Sequence, residues 1–66
     1  MTHRKLHIYE VIQAWRICYR VAPTLRELTE ACGLRSHGSM HLTLCEMREQ
    51  GWVTWRPGRA RTLRII

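Results

Sequence analysis

The chain has 66 residues, room for one domain over 1–66 and one modest core, because a polypeptide this short buries only about 60% of its unfolded surface. Eleven Lys and Arg against five Asp and Glu give a formal net charge of +6; all the bases but Lys5 are arginine, which points to polyanionic partners with phosphate or guanine edges. No apolar run approaches the roughly 20 residues of a membrane span, and MTHRKLHIYE lacks the apolar centre of a signal peptide, so a cytoplasmic, non-exported protein is expected.

Ile8, Val11, Ile12, Trp15 and Tyr19 recur at i, i+3, i+4, i+7 and i+11, one face of a helix, with Glu10, Gln13 and Arg16 off it. The first helix is expected over about His3 to Tyr19, as a core-packing support. His3, Arg4 and Lys5 read as a frayed terminus or, alternatively, as a basic arm. Arg20 to Pro23 is a connector, since proline cannot continue a helix and biases Ala22 away from helical geometry.

Thr24 and Glu27 form a T-x-x-E capping box that opens the second helix, expected over Leu25 to Cys32 with Leu28, Ala31 and Cys32 buried. Gly33, Leu34 and Arg35 form a turn, in which Gly33 supplies the left-handed conformation and Leu34 an apolar plug. Ser36 caps a third helix, expected over His37 to Gln50, with Met40, Thr43, Leu44 and Met47 inward and Gly51 as the stop.

Trp52 to Arg56 is rich in aromatic and β-branched residues, PGRA is turn chemistry, and the segment from Arg61 alternates again. The tail therefore reads as a hairpin with Val53, Trp55, Leu63 and Ile65 inward, leaving Arg56, Arg59, Arg61 and Arg64 facing water or a ligand. All five acids, Glu10, Glu27, Glu30, Glu46 and Glu49, precede this cationic arm. Three helices followed by a two-stranded antiparallel wing define an α+β winged helix-turn-helix, whose ordinary use is binding double-stranded DNA.

The run APTLRELTEACGLRS, the gap to Met47 and Gly51, and the spacing of the hairpin ending in RTLRII resemble the DNA-binding domain of the LexA repressors, from about Tyr9 to Ile66. The resemblance implies a transcription regulator, most simply a repressor. Repressors of that family continue through a linker into a self-cleaving, dimerising serine-lysine protease domain. This sequence ends where that linker would begin, so neither self-cleavage nor that dimer is expected of it. Where the family carries proline, asparagine and glutamates near the start of the third helix, this chain has His37, Gly38, Ser39, His41 and Leu42, which implies a different operator.

The third helix is the expected reader of the major groove, a groove about 12 Å wide that admits one helix. Ser36, His37, Gly38, Ser39, His41, Leu42 and Cys45 are the expected base-reading residues: hydroxyls and imidazole for hydrogen bonds, Leu42 for a thymine methyl, Gly38 for close approach. Arg26, Arg35, Arg56, Arg59, Arg61 and Arg64 are the expected phosphate contacts, carrying affinity rather than sequence. A homodimer on DNA or a partner protein is expected, because one such module buries too little surface for genomic specificity.

Competing readings are weaker. His37, His41 and Cys45 recur every four residues, but a zinc site needs four ligands with support behind them, so no metal or other cofactor is expected. The three cysteines, Cys18, Cys32 and Cys45, read as reduced thiols. A three-helix body of this size is expected to offer no pocket for a small-molecule substrate, which argues against an enzyme. A protein-interaction adaptor is the serious alternative, with Trp52, Trp55 and Leu42 as its surface; RNA binding lacks the aromatic platforms of single-strand binders.

Overall fold

A computed structural model describes residues 2–66. Its elements are α1 (His3–Tyr19), α2 (Leu25–Ala31), α3 (His37–Glu49), β1 (Val53–Thr54) and β2 (Arg64–Ile65), the expected α+β order. β1 and β2 pair antiparallel, with Val53 opposite Ile65 and Thr54 opposite Arg64.

Each boundary has a local cause. Thr2 caps α1 by accepting from the Lys5 N–H, so His3, Arg4 and Lys5 are helical, neither frayed nor a loose arm. Lys5 Nζ reaches Gln50 at 3.4 Å and Glu46 at 3.8 Å, tying this end of α1 to the far end of α3. The capping box at α2 is complete: the Glu27 N–H donates to Thr24 Oγ1, and the Thr24 N–H donates to Glu27 Oε1 at 2.9 Å. Ser36 Oγ accepts from the Ser39 N–H to start α3.

Both later helices end in the same six-residue motif. The Leu34 N–H returns to the Thr29 carbonyl and the Gly33 N–H to Glu30; the Trp52 N–H returns to Met47 and the Gly51 N–H to Arg48. That closure requires a left-handed residue, met by Gly33 at φ 73° and Gly51 at φ 83°. At the end of α1 the same region is occupied by Arg20, at φ 59°.

The core is built where the three helices and the wing base meet. Ile8, Ile12, Leu28, Met40, Met47 and Val53 are fully buried, with Leu44 and Leu63 nearly so, each worth about 1.5–3 kcal/mol relative to exposure. Two expectations are corrected. Tyr19 is 62% exposed: it packs on Trp15 at 4.5 Å between centroids, but the last turn of α1 has run past the core. Ala31 is exposed, and Thr29 takes the buried place. Its hydroxyl donates to the Leu25 carbonyl at 2.7 Å, so that hydroxyl stays paired on burial.

The strands are two residues each, too short to hold a wing by themselves. Two arginines supply what the ladder lacks. Arg16 of α1 donates from Nη1 to the Leu63 carbonyl at 2.9 Å. Arg61 donates from Nη1 and Nη2 to the two oxygens of Glu27, at 3.0 and 3.2 Å, and from Nη1 to the Ala22 carbonyl at 3.2 Å. Within the wing, Thr62 Oγ1 accepts from the Arg56 N–H and donates to the Arg59 carbonyl, closing the turn.

Candidate nucleic-acid interface

From Ala31 to Cys45 the chain carries no acid, and α3 begins inside that stretch. Ser36, His37, Gly38, His41 and Leu42 are exposed, with Leu42 at 66%. The opposite side of the helix is sealed into the core through Met40, Thr43, Leu44 and Met47. Burying those four residues is what forces the other row outward. None of the described residues covers it.

Gly38 stands in that row although the fold does not need it there. A Cβ at this position would meet only Ser36 Oγ, at 3.7 Å, an ordinary contact. Leu42, likewise, contributes nothing to the core. Exposed glycine and leucine on a helix whose inner face is already filled are residues available to a ligand.

Three of the expected readers are less free than the rest. Ser39 and Cys45 are half-buried. His41 is exposed but turned to the seam with the wing: its Nε2 lies 3.5 Å from Cys45 Sγ, and its ring meets Trp55 edge-on at 6.1 Å. His37 is not gathered with them, and among the described residues no three His, Cys, Asp or Glu side chains come together as a metal site. All three cysteines are free thiols; burial pushes the Cys32 thiol pKa up.

The wing is fixed beside α3 by Trp55. Arg48 lays its guanidinium over the indole, 4.1 Å from the ring centroid, a cation–π contact that also spreads a positive charge along the seam. Trp52 lies elsewhere, packed edge-on against Tyr9 of α1 at 6.1 Å and 38% exposed. The two tryptophans therefore do not form one surface.

Arg26, Arg35, Arg56, Arg59 and Arg64 are exposed and make no salt bridge among the described residues. Arg61 is exposed, as expected, but not free: its guanidinium is bound to Glu27 and to the Ala22 carbonyl. The partnership acts on both sides: the Thr24 N–H and then the Arg61 guanidinium hold the Glu27 carboxyl below its ordinary pKa. Arg16 is the structural arginine the sequence reading missed. Its spacing off the apolar face marked it as solvated, and no local signal reveals a backbone acceptor 47 positions away.

A capped short helix, a glycine turn, a second helix with its outer row bare and a cationic ribbon at its flank define a winged helix-turn-helix. The LexA DNA-binding domain family matches residues 1–62, and the chain belongs to it. That match takes in the first turns of α1, which the resemblance from Tyr9 onward left out. The transcription regulator LexA of Synechocystis sp. is 38% identical over 56 residues, 79% of this chain and 28% of that protein. The LexA repressors of Staphylococcus epidermidis and Staphylococcus aureus are each 30% identical over 66 residues, 100% of this chain and 32% of theirs. The chain thus spans less than a third of the length of these relatives. Among the described residues no helix is long and apolar enough to cross a membrane.

Proposed function

We propose that the chain is a sequence-specific, double-stranded-DNA-binding transcription regulator that represses by occupying a promoter. The bare outer row of the first turns of α3, which carry no acid before Glu46, carries this reading, supported by family membership and by the relatives' names as regulators and repressors. In this reading α3 lies in the major groove with Ser36, His37, Gly38, Ser39 and Leu42 toward base edges, and His41 and Cys45 at the margin beside the wing. Arg26, Arg35, Arg56, Arg59 and Arg64 meet phosphates, and Arg61 holds the wing in place for them. None of the readers is an Arg or Asn with a two-pronged base contact. One copy therefore discriminates modestly, and the functional unit is two copies on adjacent half-sites or one copy held by a partner protein. The work is done at the nucleoid.

Footprinting over the DNA upstream of its own reading frame tests this, with a gel shift on random duplex at low salt as the control. A protected tract, bound more tightly than random duplex and silencing a linked reporter, is the expected result. Protein at micromolar concentration that shifts no duplex would transfer the Leu42 and Trp52 surfaces to a protein partner and end the repressor reading.

A further inference from the structure

An open cleft of about 300 Å³ lies between the start of α2, the flank of α3 and the wing. That volume is at the small end of ligand sites. The apolar part of its wall is made by Leu25, Leu44, Leu63 and the Trp55 indole, with Thr24 and Thr62 among the polar part. Arg48 covers one face of that indole and does not line the cavity, so the cavity meets the ring from another side. The lining holds two guanidiniums, that of Arg59 and that of Arg61, the latter bound to Glu27. Arg59 is exposed and has no acidic partner among the described residues, His41 also lines the space, and no carboxylate does.

We propose that this cavity binds a small aromatic carboxylate, its rings against Trp55 among the three leucines and its carboxylate on Arg59. The apolar wall gives a bare phosphate nothing to fill it with, and the free guanidinium gives a neutral hydrocarbon no reason to prefer this site. An acid with a flat ring satisfies both, by stacking and by a charge-assisted hydrogen bond. An apolar cavity of about 150 Å³ holds benzene, so twice that space admits two fused rings. Occupancy removes one cation from the wing tip and sets a ring beside His41, at the seam of the surface proposed for DNA. The ligand is then an effector that loosens the protein from DNA; this consequence alone rests on the proposed function, whereas binding itself does not.

The test is an NMR titration of the isotope-labelled full chain with 2-naphthoate, and with neutral 2-naphthamide, in the absence of DNA. Saturable shifts centred on Leu25, Leu44, Trp55 and Arg59 are expected, with the amide, and the acid on Arg59→Gln, at least about tenfold weaker. The assignment is overturned if no shift saturates by about 5 mM acid, if the amide binds as tightly as the acid, or if the shifts gather at Tyr9 and Trp52. With duplex DNA added, saturating 2-naphthoate should weaken DNA binding severalfold. Binding of the acid with DNA affinity unchanged would overturn the effector role. Binding of the acid by a chain that never binds duplex would uphold the pocket and remove the DNA reading.

Discussion

Removing single guanidinium groups and measuring how DNA affinity depends on salt separates the arginines proposed to grip phosphates from the one that ties the wing to α2. Six arginines look alike in the sequence, but Arg61 is spent on Glu27 and Ala22, which leaves five free. Each phosphate neutralised contributes about 0.9 to the slope of log affinity against log salt, so five predict a slope near −4.5, or about a 500-fold loss between 50 and 200 mM. Fluorescence anisotropy with a labelled duplex across that range measures it. Arg59→Ala should flatten the slope by about 0.9 and weaken all sequences alike. Arg61→Ala should flatten the slope by less than Arg59→Ala does while lowering the thermal midpoint, because it removes a tie to Glu27 and Ala22 rather than a phosphate contact. A slope shallower than about −2, or a slope that changes with Arg61 and not with Arg59, would refute the assignment.

Met47 is fully buried at the junction of the helices and the wing, so Met47→Ala should cost about 2–5 kcal/mol in urea denaturation, much of what a domain this size possesses; a loss under about 1 kcal/mol would contradict that packing. Two glycines should respond in opposite ways. Gly51→Ala meets open space yet must adopt φ 83°, costing roughly 1–2 kcal/mol, whereas Gly38→Ala should stabilise α3 by about 0.5–1 kcal/mol and still weaken DNA binding. Glu27 supplies a pH signature. Because folding lowers its pKa, its contribution is fully present above the ordinary value of 4.5 and is lost as pH falls through the lowered one. The thermal midpoint should drop in that acid range, and Glu27→Gln should lower it at neutral pH and remove this part of the acid dependence.

What the sequence disclosed was what short-range chemistry decides. The T-x-x-E box, Ser36 three residues before Ser39, and the glycines at 33 and 51 are signals readable within six residues, and they set all three helices to within a residue at each end. The inward row of α3 was legible because four residues repeat cleanly at helical spacing. Tyr19 misled, since periodicity does not say where the neighbouring elements stop. Ala31 misled because composition favours alanine over threonine in a core, and only the geometry lets the Thr29 hydroxyl close on Leu25. Of the site, the exposed row could be inferred as the complement of the core. The Arg61–Glu27 pair, separated by 34 positions, and the cavity could not, because both arise only when the wing folds back across the start of α2.

Anchorage at the root of the wing by Arg16 and Arg61 has an evolutionary corollary. The connection between the strands carries these anchors at Trp55, Arg61, Thr62 and Leu63, which leaves the turn at Pro57 and Gly58 as the place where length can change at least cost to the ribbon. Under the proposed function, letters in the outer row of α3 and length at that tip are then independent dials, one altering which operator is chosen and the other how firmly it is held.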